Sequence, residues 1–242
     1  MIHLQTFAER LAHPAAATRP HPQAAPRKPQ ALTGTISAAD MLDINFESID
    51  FTGDWEALLG KPSPNFDMLV HGEPGSGKTS FLLQFAKYLA LRFGKVLYVS
   101  SEEFGAKTLQ DMLKRFEIVS DRLFFATDLD EPLDDYDFVV VDSVNDLGLS
   151  LGEFKDLREE YPMTAFIVVA QHTKAGDYRG GKDWEHEVEI ACEVVDGVVH
   201  VYRNRYGVKG TLNIFEPIRS KPRKKRRERG KHRQKRHAKA GE

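Results

Sequence analysis

The sequence predicts an α/β fold: a mostly parallel central sheet flanked by helices, with an antiparallel hairpin at the C-terminal end. Three observations predict it. Short apolar runs alternate with helical patterns through most of the chain. Phe138–Val141 and Ala165–Ala170 are continuously apolar, as strands buried on both faces require. A glycine-rich stretch, Gly-Glu-Pro-Gly-Ser-Gly-Lys-Thr at 72–79, joins a strand pattern to a helix pattern.

Taken in order, residues 1–12 place Leu4, Phe7, Ala8 and Leu11 on one helical face. Residues 13–31 hold five of the twelve prolines and read as a linker. A domain over 32–218 follows, and then a tail over 219–242. Within the domain, Phe66–His71 reads as a strand. Thr79–Phe93 reads as a helix stopped by Gly94. Val96–Val99 is a strand, Leu109, Met112, Leu113 and Phe116 mark a helical face, and Leu123–Phe125 is a brief strand. A helix over Glu153–Tyr161 separates the two buried runs, and Gly197–Tyr202 and Gly210–Phe215 flank Asn204–Gly207 as a hairpin.

The stretch 72–79 fits G-x-x-x-x-G-K-[ST], a phosphate-binding loop, in the strand-loop-helix setting that it needs. Glycines at 72, 75 and 77 let the backbone curl with its N–H groups inward, and the following helix adds its N-terminus. The candidate ATP-binding residues are Gly72, Glu73, Pro74, Gly75, Ser76, Gly77, Lys78, Thr79 and Ser80. Lys78 is placed to reach the β- and γ-phosphates, and the Thr79 hydroxyl to ligate Mg²⁺. Asp142 ends the run Val139–Val141, at the sheet edge where a carboxylate holds the magnesium shell. Glu102 and Glu103 follow the strand ending at Val99. Either can orient and polarise an attacking water, Glu102 being preferred, and the alternative is a pair of solvated acids. Gln171 ends the second buried run, where an amide can sense a γ-phosphate or simply finish a strand.

Four segments in one order resemble the RecA/RadA group of ATPases: 72–79, Leu-Tyr-Val-Ser-Ser-Glu-Glu at 97–103, Val-Asp-Ser at 141–143 and Gln-His-Thr-Lys-Ala-Gly at 171–176. The pair Glu185-His186, Asp196 and Arg-Asn-Arg-Tyr-Gly at 203–207 look like bacterial RadA. The resemblance covers about 64–216. It implies a RecA-like P-loop core, and a ring or filament of like subunits with ATP between neighbours. By similarity Glu102 is the catalytic carboxylate, with Lys78 and Gln171 (the γ-phosphate sensor) beside it. Lys174, Arg203 and Arg205 would approach ATP on the adjacent subunit, where cations stabilise phosphoryl-transfer charge. The family motif often opens with Lys, and Arg203 stands there in this chain. RadA also carries a four-cysteine zinc module and a protease-like domain, whereas this sequence has a single cysteine, Cys192. The resemblance is therefore to the bare ATPase core, as in phage- or plasmid-borne relatives.

Charge divides the chain. The net charge is −2, yet residues 219–242 carry 13 Lys/Arg against two acids, and residues 32–218 carry 17 cations against 33 acids. A body of that sign repels a phosphate backbone. In the family the loops facing DNA correspond to about 144–152 and 174–186, and the first of these has no cation. The DNA contact expected here is therefore the tail, through Arg223, Lys224, Lys225, Arg226 and Arg227. The alternatives are a tail docked on its own acidic surface or one read as a targeting signal.

One cysteine excludes an internal disulfide framework, and no run of about 18 apolar residues predicts a membrane span. A cytoplasmic location is expected. Two functions stay open: a Mg²⁺-dependent, DNA-stimulated ATPase of recombination, repair or replication, and a nucleotide-dependent assembly switch that recruits a partner without binding DNA through its core. A small-molecule kinase explains less, since no Arg-rich lid is evident.

Overall fold

The computed structural model describes residues 34–218 apart from 103, 131 and 172–180. The segment 1–12, the linker 13–31, Glu103, Lys174 and the basic cluster 223–227 lie outside the described residues. The strands are β1 (Asp67–Gly72), β2 (Val96–Val99), β3 (Leu123–Ala126), β4 (Phe138–Val141), β5 (Ala165–Gln171), β6 (Ile190–Val195), β7 (Val198–Asn204) and β8 (Thr211–Asn213). The helices are α1 (Ala38–Leu42), α2 (Asp54–Leu59), α3 (Lys78–Arg92), α4 (Lys107–Arg115), α5 (Val144–Leu147), α6 (Leu151–Glu160) and α7 (Gly181–Glu187).

All eight strands form one sheet in the order β3-β2-β4-β5-β1-β6-β7-β8. The pairings from β3 through β6 are parallel, and β7 and β8 are antiparallel additions. The expected α/β fold with a C-terminal antiparallel end is thus the observed one.

Alternate residues of each central strand feed two cores. On one face Met68 and Val70 pack with Trp55 and Leu58 of α2 and with Phe81, Phe85 and Leu89 of α3. On the other face Leu69, Val139, Val141 and Val168 pack with Val144 of α5, Phe154 of α6 and Trp184 of α7. Because both faces are covered, the strands lose the polar alternation of a half-exposed sheet and read as continuous apolar runs. The Cys192 thiol is fully enclosed in the first core, and that burial pushes its pKa up.

One strand escaped the sequence reading. The β7–β8 pairing is the expected hairpin, with 205–210 as its connection. A tighter hairpin precedes it. β6 lies parallel to β1 and turns into β7 through Asp196–Gly197, with Val195 opposite Val198. Both turn residues have left-handed backbone, φ 47° and 75°, as a two-residue hairpin requires. Glu193 interrupts the apolar run of β6, which is why that run did not read as a strand.

Phe85 is fully buried, its ring centroid 4.8 Å from Trp55, 5.8 Å from Phe51 and 6.0 Å from Phe81. Phe85→Ala is expected to cost about 3–5 kcal/mol, read as a lower urea midpoint with an unchanged slope.

Candidate active site

The strand order brings the sequence-selected residues to one edge of the sheet. β1 ends at Gly72, which lies opposite Gln171 at the end of β5. β4 runs beside β5 and ends at Val141, so Asp142 emerges on the same edge. β2 lies beyond β4, and Glu102 sits in an exposed turn past its end, with β4 and β5 between it and β1.

Between Gly72 and Lys78 the chain makes the turn that the glycines allow. Gly75 and Gly77 have φ of 78° and 105°, a region that other residues enter only with strain. A Cβ on Gly72 would lie 2.4 Å from the Val194 carbonyl oxygen, so β6 closes one side of the loop against its backbone. Glu73, Pro74 and Gly75 are exposed, Ser76, Gly77, Thr79 and Ser80 half-buried, and Lys78 buried.

The Lys78 ammonium donates to the carbonyls of Gly72 and Glu73, both at 2.9 Å. It is therefore folded back inside the curl that its own loop makes. Burial holds its pKa below 10.5, against the opposing pull of the Asp142 and Glu73 charges. The Thr79 hydroxyl donates to Asp142 Oδ2 at 3.2 Å, and the Tyr98 hydroxyl donates to the same oxygen at 2.6 Å. Gln171 is tied into the start of α5: its backbone N–H donates to Asn145 Oδ1 at 2.9 Å, and its side chain to Ser143 Oγ at 3.2 Å and Asp146 Oδ2 at 2.9 Å.

A hydroxyl and a carboxylate 3.2 Å apart beside a phosphate loop make a hard oxygen donor pair. Among the described residues no group of three or more His, Cys, Asp or Glu gathers for a metal. The pair therefore fits Mg²⁺, an ion held by one or two protein oxygens together with phosphate and water, better than a metal caged by protein alone.

Residues 65–159 match the AAA domain family. The DNA repair protein RadA of Listeria monocytogenes is 30% identical over 186 residues, which are 66% of this chain and 40% of that protein. RadA of Aquifex aeolicus is 31% identical over 201 residues, 71% of this chain and 43% of that protein. The structure of the flagellar accessory protein FlaH from Methanocaldococcus jannaschii superposes with a TM-score of 0.51 at 12% identity, over 70% of this chain and 95% of that one, a likeness of fold. The chain has a RecA/RadA-type P-loop core. It spans about two fifths of the length of those two RadA proteins (40% and 43%).

In this RecA/RadA-type core the hairpin cations stand away from their own loop. Arg203 lies opposite Ala191, itself opposite Leu69, three residues before Gly72 and two strands across. That is roughly 10 Å along the strands and roughly 10 Å across them. One Arg203 guanidinium nitrogen, Nη1, is buried with no hydrogen-bond partner among the described residues. Arg205 is farther off, its N–H donating to the Glu189 carbonyl and its guanidinium to the His186 carbonyl at 3.4 Å.

Sequence reasoning missed Tyr98, a buried strand aromatic whose hydroxyl reaches Asp142, and the Asn145 and Asp146 partners of Gln171. It also missed that the β6–β7 turn supports the loop, through a Gly197 N–H that donates to the Ser76 carbonyl at 2.9 Å. The Asp-Gly pair at 196–197 was the available signal for that turn.

Because Lys78 holds its proton less tightly in the folded than in the unfolded chain, stability of the free protein should rise with pH between its lowered value and 10.5. A triphosphate on the loop adds negative charge and pulls that value back up. Binding should then take up protons in the same window, and affinity should fall as pH rises through it. Calorimetry in two buffers of different ionisation enthalpy should report the uptake, and Lys78→Met should abolish it.

Proposed function

We propose that this chain binds ATP on the 72–79 loop and hydrolyses it with magnesium, as a cytoplasmic, self-associating protein that acts on DNA in recombination, repair or replication. The observation that carries the reading is the convergence of Lys78, Thr79, Asp142 and Gln171 on one sheet edge. The RadA relatives are DNA repair proteins by name, which favours DNA over a small molecule as the target.

In this reading the loop amides and Lys78 cradle the β- and γ-phosphates, and Lys78 exchanges its carbonyl partners for phosphate oxygens. Thr79 and Asp142 hold the magnesium, which when bound neutralises charge across the β- and γ-phosphates. Tyr98 fixes the Asp142 carboxylate. Glu102, with Glu103 as its reserve, orients the attacking water and accepts its proton. Gln171 meets the γ-phosphate, and its bonds to Ser143, Asn145 and Asp146 carry that contact to α5.

Arg203 and Arg205 serve a neighbouring subunit's nucleotide, together with Lys174. Their distance from their own loop favours that role over one within the chain. Neighbouring copies in a ring or filament would then complete each site.

The charge count favours a second reading. With 33 acids against 17 cations over residues 32–218, the body is a poor DNA surface. A switch that assembles on ATP and recruits a partner needs no such surface. Turnover separates the two. Glu102→Gln should lower ATP hydrolysis by about 100-fold or more while ATP still binds. If that variant keeps full biological function, the switch is the better account.

The DNA contact is assigned to the tail and tested by its removal. A 1–218 truncation should lose most binding to single-stranded DNA at low salt and keep its basal turnover. The full chain should lose affinity steeply as salt rises. Equal DNA binding by both forms would refute the tail assignment.

A further inference from the structure

The acidic body does not spread its charge evenly. Residues 87–95 and 107–122 hold seven of the 17 cations of residues 32–218 and only three of the 33 acids. The remainder of that span carries 10 cations against 30 acids. The fold gathers the two segments. α3 runs from the phosphate loop toward the opposite end of the sheet, so Lys87, Arg92 and Lys95 lie near the starts of β2 and β3. The Lys87 ammonium donates to the Phe116 carbonyl at 2.8 Å, which joins α3 to the end of α4. The Arg115 guanidinium lies over the Phe116 ring, 5.5 Å from its centroid. The Val96 N–H donates to the Arg122 carbonyl at 2.8 Å, setting Lys95 and Arg122 at neighbouring strand starts.

Two further features mark this face. Its cations are not neutralised in place. Elsewhere on the body Lys61, Lys155 and Arg158 each pair with a carboxylate. Lys87, Arg92, Lys95, Lys114, Arg115 and Arg122 make no salt bridge among the described residues, and in the patch only Lys107 is paired, with Asp111. Lys95, Lys114 and Arg115 are exposed. The second feature is a groove of about 260 Å³, lined by Lys87, Tyr88, Leu91, Arg92, Phe116 and Ile218 among others. Ile218 packs partly buried on the core there, and the next residue is Arg219, the first of the tail's 13 cations. The polycation therefore starts at the rim of a basic patch on a body that is otherwise acidic.

We propose that this patch, with the groove between α3 and α4, is the folded half of a DNA-binding surface, holding the phosphate backbone of the strand that the tail also contacts. The proposal rests on the DNA reading of the tail. A polycation alone attracts DNA without fixing its path, whereas cations mounted on helices and strand starts hold phosphates in one register. The patch lies at the end of the sheet opposite Lys78 and Asp142, so a strand can occupy it without competing with the triphosphate.

The test measures binding of a fluorescent single-stranded oligonucleotide to the full chain across a salt series. The patch variant is Lys95→Gln, Lys114→Gln, Arg115→Gln. A control variant, Lys61→Gln, Lys155→Gln, Lys209→Gln, removes the same charge elsewhere. The patch variant should bind roughly 10-fold or more weakly at low salt, and its slope of log affinity against log salt should be shallower by about 2, at roughly 0.7 per lost phosphate contact. The control should bind nearly as wild type does, and both should keep basal ATP turnover. Lys95→Arg, Lys114→Arg, Arg115→Lys, which keeps the charge, should also bind as wild type does. A fluorophore on Leu91→Cys, selective because Cys192 is buried, should respond to the oligonucleotide at the groove. A patch variant that binds no more weakly than the control overturns the proposal and leaves the tail assignment intact. If the patch variant alters self-association and not DNA binding, the face is a contact between copies and the proposal is again overturned. A wild-type chain that binds no DNA at low salt overturns the DNA reading itself, and the patch with it.

Discussion

The constraint on which the site depends is a contact of backbone with backbone: the chain leaving β1 must curl where β6 leaves no room for a side chain. Gly72 faces the Val194 carbonyl, and the Gly197 N–H donates to the Ser76 carbonyl. With these two contacts the loop is closed before any ligand arrives. Its backbone is then braced, so less ordering cost remains for binding an anion. The Lys78 ammonium completes the arrangement by bonding to the Gly72 and Glu73 carbonyls from inside.

The electrostatics follow from that enclosure. A buried ammonium is costly unless it is paired, and Lys78 has carbonyl partners with the Asp142 and Glu73 charges nearby. Asp142 is itself buried and takes bonds from Thr79 and Tyr98 on a single oxygen. The cation and the carboxylate are therefore each fixed in place by neighbours on other strands and on α3. Such charges, held close to the loop, suit a site that must meet a polyanion, because Lys78 has only to exchange its carbonyl partners when it arrives.

What the sequence made legible was whatever is local. The loop, the helix that follows it, the apolar runs of β2, β4 and β5, and the acid and amide that end β4 and β5 all carry their signal within a few residues. What it hid was non-local. Tyr98 reads as one more apolar strand residue, and only the pairing of β2 with β4 puts its hydroxyl on Asp142. β6 was obscured because Glu193 breaks its pattern on the sheet face that also carries His71 and the exposed His200. The Asp196–Gly197 turn was locally readable, but its contact with Ser76 depends on β6 lying beside β1.

The strand order also bears on what the C-terminal strands are for. A parallel sheet ending at β1 would leave the loop with a wall on one side only. Adding β6 in parallel, and then turning back through a two-residue turn, sets rigid backbone against the other side at the level of the loop. A longer connection would leave that wall free to move, whereas two left-handed residues hold it in register. The same antiparallel return sends β7 back toward the far edge of the sheet, carrying Arg203 and Arg205 away from the loop that its first residues support. A single hairpin thus braces the nucleotide loop at one end and presents two cations at the other. That geometry is what a subunit needs if it is to hold its own ligand and act on its neighbour's.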